Sequence, residues 1–179
     1  HLSIVPPCVN RSEVDFSVKN NELIYALTAL KNVGPEAMQL IVDAREKSVS
    51  KKFSDIFEFS RLVEMKKIGK RPLEMLVRAG AFDQLNSNRS VLLKSLDSLV
   101  LYSAAIHDQR VSDQSSLFGE AGEDLLEPKL KELDSWLASE KLVEEHRAIG
   151  FYLSGHPLDD YKSSLKRNGV TTLAELRTL

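Results

Sequence analysis

The period of the apolar positions changes several times along the chain, and each change predicts an element. Pro6-Pro7 excludes helix near the start, and Asp15-Phe16-Ser17-Val18 alternates polar with apolar as a half-buried strand does. Asn20-Asn21 is a turn signal, and Glu22-Leu23-Ile24-Tyr25 reads as the return strand of a hairpin. From Ala26 the pattern turns helical. Leu27, Leu30 and Val33 recur at spacings of three, Gly34-Pro35 interrupts, and Ala37, Leu40, Ile41 and Ala44 resume. After a polar break at 47–52, Phe53, Ile56, Phe57 and Leu62 predict a third helix capped at Ser54 or Asp55. Residues 66–71 read as a basic turn. Leu73, Leu76 and Val77 predict a fourth helix that Gly80 ends. Leu92, Leu93, Leu96, Leu99 and Val100 form the stripe of a long amphipathic helix from Arg89 to about His107. Residues 109–133 lose all periodicity. Helix is expected again over Trp136–His146, capped at Asp134 or Ser135, over Tyr161–Arg167, and from Thr172.

Composition narrows the class. The chain has 179 residues, enough for one domain with an appendage. Its single Cys8 makes no internal disulfide, and four scattered His offer no metal-ligand spacing, so no metal site is expected. Nothing approaches the roughly 18 consecutive apolar residues of a membrane span. The chain opens on His1 rather than Met, shows no leader pattern, and reads as a piece of a longer protein. A net charge of −2 hides a gradient: 16 basic and 13 acidic side chains over 1–110, 3 and 10 over 111–146, 5 and 3 over 147–179. The basic front suits a polyanion and the acidic middle does not. Glu144-Glu145 and Asp159-Asp160 read as solvated faces, His156 as a turn or packing residue, and no side chain is assigned a catalytic role.

Two stretches repeat at an offset of 35 residues. Lys31-Asn32-Val33-Gly34-Pro35 lies over Lys66-Lys67-Ile68-Gly69-Lys70, and each leads into a helix. A glycine before a helix lets backbone approach a ligand, and the uncompensated first N–H groups of the helix favour phosphate. The second copy adds Lys66, Lys67, Lys70 and Arg71. Pro72 fits there only within a first helical turn. The pattern resembles the helix-hairpin-helix motif, with Asn32 and Lys67 at its usual first glycine. A plain helical hairpin, broken by its glycines and binding nothing, is the alternative.

Within the acidic stretch, Gln114-Ser115-Ser116-Leu117-Phe118 resembles the peptide that docks bacterial proteins on the sliding clamp. Leu117 and Phe118 would fill an apolar pocket and the Gln114 amide a polar one. Taken in order, Val5-Pro6-Pro7, Val9-Asn10-Arg11-Ser12, the two hairpins, this peptide and Gly150-Phe151-Tyr152-Leu153-Ser154-Gly155-His156-Pro157-Leu158-Asp159 resemble the bacterial replicative C-family polymerases, the DNA polymerase III alpha subunits. Cys8 and Pro72 depart from that family's usual residues.

The resemblance implies a mainly α fold, a tandem helix-hairpin-helix domain with a short N-terminal β-hairpin, a flexible acidic linker and a small helical C-terminal segment. It divides the chain into 1–24 as the end of the fingers, 25–108 as the tandem domain with its long helix, 109–133 as linker, and 134–179 before an OB domain. It implies double-stranded DNA held without sequence specificity by Asn32, Val33, Gly34, Lys66, Lys67, Ile68, Gly69, Lys70 and Arg71. The sliding clamp would be bound by Gln114, Leu117 and Phe118, with other replicase subunits as partners, in the bacterial cytoplasm, with no membrane and no small-molecule substrate. The parent chain would be a DNA-directed DNA polymerase whose catalytic aspartates and Mg2+ lie upstream in a palm, leaving this segment without catalytic residues or cofactor. Two rivals stay open: a helix-hairpin-helix repair enzyme, for which Asp83 is the candidate acid, and an interaction module that only docks on the clamp.

Overall fold

The structure is a computed structural model that describes residues 3–115, 125–171 and 176, the side chains of 111–115 excepted. Three short strands open it: β1 (Ser3–Val5), β2 (Ser17–Lys19) and β3 (Glu22–Ile24). β2 and β3 form the expected antiparallel hairpin, turned by Asn20 and Asn21, both at positive φ. β1 adds a parallel strand on the other side of β3, so that Ile4, Leu23 and Val18 lie in one row across the sheet.

The rest is helical. The chain makes a 3-10 turn at Leu27–Ala29, then α1 (Pro35–Lys47), α2 (Ile56–Leu62), α3 (Met65–Ile68), α4 (Lys70–Arg78) and α5 (Arg89–Ser115). A full helix is not formed over 26–33. The apolar spacing of three there is the period of a 3-10 turn, not of an α-helix. The basic residues at 66–71 are not a loop either. They lie in α3 and at the head of α4, and Gly69 alone reverses the chain. Pro72 falls on the third residue of α4, where a missing N–H is harmless. Asp55 caps α2, accepting from the N–H groups of Phe57 and Glu58, each at 2.8 Å.

α5 is the spine against which α2, α3 and α4 pack. Its Leu92, Leu96 and Leu99 meet Met38 and Ile41 of α1, Leu73 and Leu76 of α4, and the rings of Phe53, Phe59 and Phe82 in one core. The three rings stack edge to face at 5.0 and 4.9 Å. Buried Ser103 of α5 caps the α2–α3 junction, donating to the Val63 carbonyl at 2.8 Å and accepting from the Met65 N–H at 3.1 Å.

The N-terminal segment is knitted into this unit. Arg45 of α1 is 3% exposed and donates to the carbonyls of Val9 and Ser12 and to the Glu13 carboxylate. Asn10 pairs both ways with the Phe53 backbone, at 2.9 and 2.8 Å. At the far end of α4 the chain closes in a Schellman turn. Ala81 N–H donates to the Leu76 carbonyl, Gly80 N–H donates to Val77, and Gly80 sits at φ +81°.

α5 runs past His107 to Ser115, where composition suggests linker. Tertiary contact overrides weak propensity, because Arg110 reaches back to the Arg61 carbonyl at 3.0 Å. Residues 125–137 have no regular structure, yet they lie along α5. Lys131 N–H donates to Ser95 Oγ, and Asn88 donates to the Leu133 carbonyl. α6 (Ala138–Ile149) starts two residues later than the pattern predicts. Its Glu140 takes the Leu137 N–H at 2.8 Å, in place of a cap at 134 or 135. α6 packs on α4, where Glu144 pairs with Arg78. A 3-10 turn (Asp159–Tyr161) and α7 (Lys162–Arg167) follow. The helix expected from Thr172 lies outside the described residues.

Candidate nucleic-acid interface

The second hairpin turn is the tighter of the two. Gly69 joins α3 to α4 at φ +89° and ψ +153°, a backbone region that essentially only glycine enters. Its own N–H is taken by the Met65 carbonyl at 3.1 Å. The donors this turn offers are therefore the N–H groups of Lys70 and Arg71, at the head of a helix with no side-chain cap. Those donors lie one residue later than the spacing predicts, since the Gly69 N–H is already taken and Ile68 is buried in the core.

Lys66, Lys67, Lys70 and Arg71 are all exposed around that turn. Two of them carry carboxylate partners: Lys67 meets Glu64 at 2.7 Å, and Lys70 meets Asp97 of α5 at 2.7 Å. The Asp97 hydrogen bond raises the Lys70 pKa above the usual lysine value, so this ammonium stays charged. Exposed pairs of this kind contribute little, so an incoming anion displaces the carboxylates at small cost.

The first turn is built differently. Asn32, not Gly34, holds the left-handed conformation at φ +59°. Gly34 is extended and caps α1, with open space where a Cβ would stand. Asn32 and Gly34 are exposed and Val33 is half-buried. The two copies therefore share an uncapped helix start after glycine, but not a turn backbone. α1 packs on α3, which puts both turns on one body.

α6 reaches the first turn. Lys31 N–H donates to the Ala148 carbonyl at 2.8 Å, and the Lys31 ammonium lies over Gly150. The sequence repeat begins at Lys31 but carries no sign of this contact, which spans 117 residues. Glu144 and Glu145 are not solvated faces. Glu144 pairs with Arg78 and Arg147, and Glu145, 2% exposed, accepts from the N–H groups of Leu153 and Ser154 at 2.6 and 2.9 Å.

Of the clamp-peptide candidates, Leu117 and Phe118 lie outside the described residues, and Gln114 is described only as backbone within α5. The chain on either side of them is held by one residue the sequence did not single out. Arg61 takes Arg110 on its carbonyl and gives its guanidinium to Glu127 at 2.6 Å. Asp83, the candidate acid of a repair enzyme, has both oxygens on Arg89, at 2.8 and 2.7 Å. Among the described residues no group of three or more His, Cys, Asp and Glu could hold a metal ion, and no helix is long and apolar enough to cross a membrane.

A one-residue glycine connection between α3 and α4, together with a second glycine that leads from a 3-10 turn into α1, defines a helix-hairpin-helix protein. Residues 1–92 match the helix-hairpin-helix motif family, and the chain belongs to it. Along nearly its whole length it is also similar to DNA polymerase III alpha subunits. It is 40% identical to that of Caulobacter vibrioides over 97% of the chain, 32% identical to that of Vibrio cholerae over 93%, and 36% identical to that of Neisseria meningitidis serogroup A over 98%. The chain spans about 15% of the length of these relatives (15%, 14% and 15%).

Proposed function

We propose that this chain is the part of a bacterial replicative polymerase alpha subunit that grips duplex DNA by its backbone and docks on the sliding clamp. The carrying observation is the uncapped head of α4, where the free N–H groups of Lys70 and Arg71 stand among four exposed basic side chains. Backbone donors, a helix dipole and mobile ammonium groups attract phosphate without reading bases. The uncapped start of α1 behind Asn32, Val33 and Gly34 supplies a second grip on the same body. Sequence-independent contacts of this kind let a polymerase slide. Gln114, Leu117 and Phe118 would bind the clamp, on the strength of their sequence pattern. Two weak contacts on one chain then act at high effective concentration. Nucleotidyl transfer, its Mg2+ and the contacts with other replicase subunits belong to the rest of the parent chain, which works in the bacterial cytoplasm. The repair reading loses its acid to Arg89.

The test is a titration of labelled blunt duplex at two salt concentrations. Comparison is with Lys66→Glu/Arg71→Glu, whose side chains have no ion pair among the described residues, and with the paired Lys67→Glu/Lys70→Glu. Binding by the parent should weaken steeply with salt, and each double variant should flatten the log–log slope by about 2, roughly 0.9 per phosphate contact. A parent chain whose affinity ignores salt, or variants with an unchanged slope, would refute the backbone grip. Clamp docking is tested separately: Leu117→Ala/Phe118→Ala should abolish binding to the purified clamp and leave duplex binding intact.

A further inference from the structure

The segment after α6 carries a second surface that the duplex grip does not use. Phe151 is 48% exposed and Tyr152 39% exposed, side by side at the mouth of the first hairpin turn. Tyr152 lies between two imidazoles, 4.9 Å from His146 and 5.9 Å from His156 by ring centroid, and both histidines are exposed. Phe151 leans on the buried Tyr25 at 6.2 Å. Exposed rings on a floppy loop would collapse onto the nearest apolar surface. The backbone that follows these rings is fixed. The buried Glu145 carboxylate takes the next two backbone N–H groups, Leu153 and Ser154, and Asp159 takes the His156 N–H at 2.7 Å. The surroundings are positive. The Lys31 ammonium sits over Gly150, immediately before Phe151. Residues 146–171 carry Arg147, Lys162, Lys166 and Arg167 against Asp159 and Asp160; Arg147 is paired with Glu144 and Lys162 with Asp159, and Lys166 and Arg167 carry no ion pair among the described residues.

Fixed, exposed rings beside cations make a stacking platform for bases that have no pairing partner. The interior of a duplex offers such rings nothing, because its base faces are covered by stacking, and only its two end pairs expose one. We infer that Phe151 and Tyr152, flanked by His146 and His156 and with Lys31 on the adjoining phosphate, bind single-stranded DNA through its bases. This surface sits beside the first hairpin turn, so one DNA molecule with a single-stranded overhang can occupy both. The inference does not depend on the hairpins holding duplex, since the two surfaces take different parts of DNA.

The experiment uses fluorescence anisotropy of the unmodified chain with three labelled probes: a 12-residue oligothymidylate, an abasic deoxyribose-phosphate oligomer of the same length, and a blunt duplex. The oligothymidylate should bind more tightly than the abasic oligomer, which has the phosphates without the rings. Phe151→Ala/Tyr152→Ala should lower oligothymidylate affinity roughly tenfold. Phe151→Tyr/Tyr152→Phe, which keeps two rings, should restore it, and duplex affinity should stay the same in both. Equal binding of the oligothymidylate and the abasic oligomer by the unmodified chain overturns the inference, as does oligothymidylate affinity unchanged by removing both rings. The first of these comparisons needs no variant and so stands even if the ring-free chain folds poorly. Failure of the duplex to bind would sink the hairpin reading alone.

Discussion

Gly80→Ala is the substitution whose effect the structure specifies most closely. Gly80 ends α4 at φ +81°, which for an L side chain is a strain of about 1–2 kcal/mol. A Cβ built there would also overlap Arg89 Nη2 and stand 2.5 Å from Arg89 Cζ and 2.9 Å from Asp83 Oδ2. Arg89 cannot yield cheaply. It is 8% exposed, grips Asp83 through two nitrogens and donates to the Arg78 carbonyl at 3.0 Å. Pushing the guanidinium out breaks charge-assisted bonds worth about 1.5–3 kcal/mol. The sum is a loss of about 2.5–5 kcal/mol, a large share of a domain's stability. The two parts separate in a double-mutant cycle. In an Arg89→Ala background the guanidinium is gone and Asp83, released from it, can turn its carboxylate away, so Gly80→Ala should cost only the backbone strain of about 1–2 kcal/mol. Urea unfolding of the four proteins, followed by far-UV circular dichroism with the m-values compared, gives the coupling. Equal cost of Gly80→Ala in both backgrounds would show that Arg89 does not fill the space behind the turn, and the reasoning would fail.

Three further predictions follow from single contacts. Gly34→Ala adds a Cβ into open space at an ordinary φ, so stability should change by less than about 1 kcal/mol, while duplex affinity falls if phosphate approaches this backbone; thermal melts and the salt titration read the two separately. His107 has its pKa lowered from 6.5, first by burial and then by Arg110. The unfolded chain therefore binds the proton first, and stability should be lost as pH falls from about 6.5 through the lower folded value; His107→Gln should flatten that part of the pH–stability curve. Arg61→Ala should reduce stability by less than about 1 kcal/mol, because its pair with Glu127 is half exposed, yet speed amide exchange at 125–127 measurably.

The helices that bury one clear stripe were legible in the sequence, whereas the helix read from Ala26, the basic turn at 66–71 and the end of α5 were not. Leu92, Leu96 and Leu99, or Leu73, Leu76 and Val77, can face a core in only one way. The glycine that ends α4, the proline in its first turn and the order of hairpin, hairpin and acidic stretch are equally local, and they carried the family likeness. Tertiary structure decided the rest. The β1 strand, the tie of Arg45 to 9–13 and the grip of Asn10 on Phe53 join residues far apart in sequence, and no local period reports such bonds. The two turns look alike as sequence, but the reversal falls on Asn32 in one and Gly69 in the other, because only the second is entered from a helix. Glu145 reads as a surface acid until the fold brings Leu153 and Ser154 onto it. Burial and long-range hydrogen bonds are properties of the packed chain: the sequence by itself determined which stripes must be covered, and only packing decided what covers them.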